Sequence, residues 1–220
     1  SYQYSDLNFI LLGEIVARVT EMPLQEYCWK EIFLPLGMNE TFFLPDSKLE
    51  GRIAPTTLLE DGSLLRGIVH DPTSRRMGGV AGHAGLFSTV DDLARFARML
   101  LNGGGGILKP ETISLMTSVQ SPANIESRRG LGFDIDSTYS SLRGELFPKG
   151  SFGHTGWTGT SMWIDPTSES FVIFLSNRNH PSGGNVIALR KDLGTLAAKA
   201  TGFDFSTVKK RFPEVVPKSP

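Results

Sequence analysis

The sequence predicts an α+β fold. Three observations carry that reading: apolar residues recur at helical spacing in the first half, two β-type runs flank a polar turn near residue 166, and a last helical pattern follows them. Ser5 is placed to cap a helix from Asp6 to Val19, with Leu7, Ile10, Leu11, Ile15 and Val19 on one face. Glu14 and Arg18 lie four apart on another face, the spacing of a supporting ion pair. Pro23 opens a second helix, Leu24 to Phe33, which Pro35 and Gly37 end. Asp61-Gly62 between Thr57–Leu59 and Leu64–Ile68 predicts a hairpin.

Residues 71–85, with Gly78, Gly79, Gly82 and Gly85, read as a loop. Ser88 and Thr89 stand three residues before Asp91 and Asp92, a near capping box with aspartate in place of glutamate. The helix it opens turns Leu93, Phe96, Ala97, Leu100 and Leu101 inward and stops at Asn102-Gly103. Pro110 starts a shorter helix to Thr117. Phe152 to Asp165 and Phe171 to Ser176 predict two strands around the turn Asp165-Pro166-Thr167-Ser168. The closing helix, Asn185 to Ala200, carries Val186, Leu189, Leu193, Leu196 and Ala197 on its apolar face, and the proline-containing tail from Phe212 reads as extended.

Composition narrows the function. Lys+Arg number 22 and Asp+Glu 23 over 220 residues, a net charge of −1, so no basic surplus exists to displace the counterions of a nucleic acid. No stretch approaches the ~20 apolar residues of a membrane span. A single cysteine, Cys28, excludes an intramolecular disulfide and a cysteine-cluster metal site, and reads as a packed thiol. Neither an initiator methionine nor a signal peptide precedes Ser1, so the chain reads as beginning in mid-protein.

Several motifs can be set aside. Gly159-Thr160-Ser161-Met162-Trp163 misses the last glycine of a nucleophile elbow, and Ser206-Thr207-Val208-Lys209 matches S-x-x-K only in the tail. His70, His83, His154 and His180, with Asp71, invite a metal reading, but no pair has helical ligand spacing, so neither metal nor cofactor is expected. Two tripeptides carry more chemistry. Tyr4-Ser5-Asp6 opens a helix, where a tyrosine near cationic groups can act as general base. His154-Thr155-Gly156 lies on a strand and offers a donor, a hydroxyl and a close backbone approach, with N–H groups beyond the glycine able to stabilise an oxyanion.

Four segments, in order, resemble the class C β-lactamase and penicillin-binding DD-peptidase family. Tyr4-Ser5-Asp6, with the helix after it, resembles that family's Tyr-Ser-Asn motif, and Phe33-Leu34-Pro35-Leu36-Gly37-Met38 resembles the end of its next helix. The run from Ala84 to Phe96 resembles its glycine-loop-to-helix segment, and Gly153-His154-Thr155-Gly156 its Lys-Thr-Gly motif in the His-Thr-Gly form.

The resemblance implies a helical lobe beside an antiparallel sheet flanked by helices, incomplete at the N-terminus. Residues 1–220 would be the C-terminal portion of one domain: a mainly helical lobe to about 130, sheet strands and closing helix from about 131 to 205, and a tail from 206. It implies serine-hydrolase chemistry through an acyl-enzyme on β-lactam, D-Ala-D-Ala peptide or ester substrates, the serine and lysine of S-x-x-K lying upstream of Tyr4. Without them, the same fold would be a non-catalytic ligand-binding module. The expected partners are a small molecule or peptidoglycan peptide and the missing N-terminal segment, in a periplasmic or extracellular setting.

The implied catalytic residues are Tyr4 as base and later proton donor, Asp6 at the amide position, and His154 in place of lysine. Asp6 can pair with a lysine but cannot donate as an amide does. The implied substrate-binding residues are Thr155, Gly156 and Trp157, whose backbone N–H would form half of an oxyanion hole. Separately, the glycines and the His70-Asp71 pair make residues 71–85 either a cleft wall carrying His83 as a substrate-binding residue or an ordinary surface loop. For His154 two roles stand open: a cation that recognises a substrate carboxylate, or a neutral imidazole that only hydrogen-bonds.

Overall fold

The computed structural model describes residues 2–208, so the tail predicted from Phe212 lies outside the described residues, as does Lys209 of the tail S-x-x-K. The chain divides into two compact units: Gln3–Met99 with Leu175–Asn185, and Leu100–Phe174 with residues 186–208 and Tyr2. The division falls near Leu100, and the segment 175–185 returns to the first unit.

In the first unit, α1 (Asp6–Thr20) starts on the predicted cap: Ser5 Oγ accepts from the Leu7 N–H at 3.3 Å. Arg18 and Glu14 pair at 2.6 Å. The apolar face is not the buried one. Leu7, Leu11, Ile15 and Val19 are exposed, Val19 at 78%, whereas Gly13 is buried. Backbone contact decides the orientation: a Cβ at Gly13 would stand 3.0 Å from Gly82 N, and one at Gly82 2.0 Å from Phe9 O. Two residues without side chains let the loop lie directly on the helix.

Next, α2 (Leu24–Cys28) runs on into a π-helical turn, Trp29–Phe33, closed by Leu34 N–H to Trp29 O at 2.9 Å. The predicted second helix is therefore one helical segment with a widened last turn. Burial pushes the Cys28 thiol pKa up, which suits an inert packed cysteine. Strand β1 (Phe42–Phe43) pairs with β4 (Leu86–Phe87), while β2 (Thr57–Leu58) and β3 (Leu64–Leu65) form the predicted Asp61-Gly62 hairpin. Residues 71–85 are not all loop. Pro72–Arg76 forms α3, capped by Asp71 Oδ1 accepting from Ser74 N–H at 2.6 Å.

Helix α4 (Val90–Leu101) follows the Thr89 cap, whose Oγ1 accepts from the Asp92 N–H at 3.3 Å. The Asp92 carboxylate does not complete a capping box. It is 2% exposed and accepts from Glu40 N–H and Thr41 Oγ1, each at 2.8 Å, and from Arg95 at 2.9 Å. Ala97 and Leu100 are buried as expected, joined by Met99. Asp92→Ala would strand these donors, two of them in or beside the turn before β1. The expected loss is on the order of 3 kcal/mol of unfolding free energy, read from the urea midpoint. A loss below ~1 kcal/mol would show that the three bonds are dispensable.

In the second unit, α5 (Pro110–Thr117) precedes an antiparallel five-stranded sheet in the order β5 (Arg128–Arg129), β6 (Asp134–Asp136), β7 (Phe152–Thr155), β8 (Ser161–Asp165), β9 (Ser170–Phe174). The predicted single strand from Phe152 to Asp165 is a hairpin. Gly156 N–H bonds Thr160 O at 2.7 Å and Gly159 N–H bonds Gly156 O at 3.2 Å, which turns the chain between β7 and β8. The predicted 165–168 turn is formed by fully buried Asp165, which accepts from Ser168 N–H at 2.9 Å and Ser168 Oγ at 2.6 Å. Trp163, Ile164, Phe152 and Ile135 make the core of the sheet, with Phe133 edge-on to Phe152 at 5.0 Å.

Closing helix α6 (Ile187–Ala200) packs on β9 and on the 3₁₀ turn Ser140–Arg143. Its predicted apolar face is again not the buried stripe. Leu189 and Leu196 are exposed at 48% and 59%, while Arg190, Gly194 and Ala198, each four apart, are buried. Gly194 sits so close to the turn that a Cβ would meet Arg143 O at 2.3 Å.

Candidate active site

In the first unit the Tyr4-Ser5-Asp6 corner is set by the start of α1. Tyr4 is 52% exposed, and Asp6 is exposed in the first turn. Against that corner lies the loop after α3. His83 Nε2 is 2.9 Å from Asp71 Oδ1, and its side chain is only 5% exposed. One ligand-type atom each from Asp6, Asp71 and His83 falls within 4.8 Å of the other two.

Burial opposes ionisation of Asp71, but hydrogen bonds from Ser74 N–H, His83 and Thr73 N–H outweigh it and hold the carboxyl below its ordinary pKa. The adjacent His70 does not share this pair. Its Nε2 faces Asn179 Nδ2 at 3.3 Å, and burial, then the Arg75 charge, lower its pKa. Asp71 is the residue that the sequence undervalued. Its signal was the Asp-Pro pair that caps and opens α3, hidden inside a stretch read as loop.

In the second unit, Gly153 brings β7 against β8 so closely that a Cβ would lie 2.8 Å from the Trp163 ring. His154 follows, paired across to Met162, and Thr155 to Ser161. The His154 Nδ1–H donates to Thr155 O at 2.8 Å, which fixes the tautomer if the ring is neutral. Neutrality is favoured: burial lowers its pKa most and the Arg129 charge lowers it further, against the Thr155 hydrogen bond and Asp134.

Gly156 and Trp157 begin the turn, with Trp157 75% exposed. A residue missed from sequence holds that turn. Arg190, 7% exposed, donates from one terminal nitrogen to Gly156 O at 3.0 Å and to Thr160 O at 2.7 Å. No local pattern could have found it, since an arginine in an amphipathic helix reads as surface. Thus Asp6 and His83 converge in one unit, and His154, Thr155, Gly156 and Trp157 form a continuous edge in the other.

The Beta-lactamase family model matches residues 1–196. The chain belongs to the β-lactamase family. Among curated relatives, an Escherichia coli K12 protein named "Putative D-alanyl-D-alanine carboxypeptidase" is 36% identical over 202 residues, covering 80% of this chain and 45% of that protein. The chain thus spans about half the length of the curated relatives it matches. Among solved structures, a β-lactamase from Mycobacterium bovis is similar at TM-score 0.61 and 25% identity, over 90% of this chain and 62% of the other. A penicillin-binding protein homologue from Pyrococcus abyssi shares the fold at TM-score 0.65 and 24% identity, over 94% of this chain and 44% of the other. In this β-lactamase-family chain helices together with an antiparallel sheet are the expected architecture, and among the described residues no helix is long and apolar enough to cross a membrane.

Proposed function

We propose that the protein is a serine hydrolase that acts through an acyl-enzyme on D-alanyl-D-alanine-type peptides, with the serine and its lysine preceding Ser1. The reading rests above all on the family match over residues 1–196, with Tyr4-Ser5-Asp6 at the start of α1 and His154-Thr155-Gly156 at the end of β7 in the places of that family's motifs. The 36% identity to a protein named for D-alanyl-D-alanine peptides favours that substrate over β-lactams or simple esters.

The serine Oγ attacks the carbonyl carbon of the penultimate D-alanine while Tyr4 takes the hydroxyl proton. The oxyanion is met by N–H donors that include Trp157's. Tyr4 returns the proton to the departing D-alanine nitrogen as the C–N bond breaks, and water then hydrolyses the ester. Thr155 Oγ1 hydrogen-bonds the substrate carboxylate, and His154 steadies the end of β7 through its bond to Thr155 O. A setting outside the cytoplasm follows from that substrate.

A fluorescent penicillin and a D-Ala-D-Ala peptide test the reading with the full-length protein. Covalent labelling and D-alanine release are expected, with Tyr4→Phe slowing acylation by roughly 10²–10⁴-fold. The 220 residues alone should take no label. Full-length protein that binds the peptide without either reaction would make it a binding module, and rapid labelling of the 220-residue chain would remove the upstream nucleophile.

A further inference from the structure

We infer that His83 and Asp71 are positioning residues for Asp6, so that the Tyr-Ser-Asp corner and the loop after α3 act as one unit. The inference rests on the proposed hydrolase reading and deepens it. Its first support is the convergence of Asp6, Asp71 and His83 within 4.8 Å from three separate segments. The loop is also built to deliver this imidazole. Asp71 Oδ1 receives both Ser74 N–H at 2.6 Å and His83 Nε2 at 2.9 Å, while fully buried Ser74 sends its Oγ–H to Ala84 O at 2.9 Å. The loop is thereby tied back to the start of α3 at His83 and again at Ala84. Gly82, next to it, rests on the Phe9 carbonyl of α1, where any side chain would collide.

The second support is the cost of the arrangement. His83 Nδ1 is buried with no hydrogen-bond partner among the described residues, so the ring is an expensive way to fill space that a phenyl or isobutyl group would fill freely. What the imidazole adds is a polar edge beside two carboxylates. Asp6 needs such a neighbour. An amide at its position orients itself through both donor and acceptor contacts, whereas a carboxylate only accepts, and its direction follows the charges and dipoles fixed around it. The Asp71 carboxylate, kept ionised by its own hydrogen bonds, anchors the ring, and the ring sets the field in which Asp6 sits.

A double-mutant cycle in the full-length protein tests this. His83→Gln should lower the acylation rate with fluorescent penicillin on the order of 10²-fold, the size of effect that a ~1 Å misplacement produces, and should act on kcat more than on KM for the peptide. In the Asp6→Asn background, where the amide orients itself, the same substitution should cost less than ~3-fold. Equal losses in both backgrounds would overturn the inference, as would full activity in His83→Phe. Activity that needs added Zn²⁺ and disappears with a chelator would overturn it too, by making the cluster a metal site. The imidazole ¹⁵N resonances of His83 require no turnover: they should move on Asp6→Asn even in protein that never acylates. Unmoved resonances defeat the coupling itself, whereas absent acylation with moved resonances defeats only the hydrolase reading.

Discussion

Arg190→Met is expected to lower the unfolding free energy by about 3–5 kcal/mol and to cost the full-length protein most of its acylation rate. Two hydrogen bonds from a charged donor disappear together, and each such bond contributes ~1.5–3 kcal/mol. The carbonyls left behind are those of Gly156 and Thr160, the two ends of the turn that carries Trp157. Both already accept a second bond, from Gly159 N–H and Gly156 N–H, so the turn should loosen rather than dissolve. Loosening is enough to matter. An oxyanion donor acts by being held in place before charge develops, so a mobile Trp157 N–H would lose the advantage that the proposed hydrolase draws from it.

Arg190→Lys separates the two effects. An ammonium can restore charge near one carbonyl but lacks the planar fork of a guanidinium, so stability should recover more than acylation does. Urea unfolding and the acylation rate are the paired measurements. A methionine variant with native midpoint and native rate would show that the turn stands without α6.

Arg190 also marks where sequence reasoning ended. The local signals were legible: Ser5 as a cap, Asp61-Gly62 as a hairpin turn, Pro110 as a helix start and Asp165 as a turn former all reflect short-range chemistry. On α1 and α6 the apolar stripe that periodicity picks out is exposed within these 220 residues, and the buried positions lie elsewhere. Periodicity ranks faces by apolar content, but these helices are placed by glycines that allow backbone contact, Gly13 on Gly82 and Gly194 on Arg143. On α6 the stripe so selected carries a buried arginine, the opposite of what an apolar pattern seeks.

The β7–β8 hairpin was missed for a related reason. Gly156 to Thr160 keeps a strand-like composition, and only the hydrogen bonds across it reveal the reversal. Of the candidate site, the two tripeptides were visible as motifs. The Asp71–His83 pair was visible only as separate residues, because twelve positions of chain must fold back to join them.

The two roles open to His154 differ in their pH profiles, and its burial supports the neutral one, for which the expected result is a profile without carboxylate preference. Burial and the nearby Arg129 depress its pKa below the ordinary ~6.5, so the ring is neutral through the neutral range. A neutral imidazole whose Nδ1–H is committed to Thr155 O offers its other nitrogen only as an acceptor. On that reading it would supply no positive charge to a substrate carboxylate. KM for a peptide with a free carboxylate and for its methyl ester should follow parallel curves from pH 6.5 to 8. His154→Lys should break the parallel by tightening only the free carboxylate.

The same shift has a sign in stability. The unfolded chain takes up its proton near pH 6.5, the folded protein only at lower pH, so protonation favours unfolding within that window. The contribution of His154 is complete above pH ~6.5 and is lost as pH falls through the folded value. His154→Gln should accordingly flatten the acid side of the stability curve. A carboxylate-to-ester KM ratio that rises as pH climbs through 6 to 7, and no longer does so in His154→Gln, would overturn this account, because a charged His154 losing its proton there would produce it.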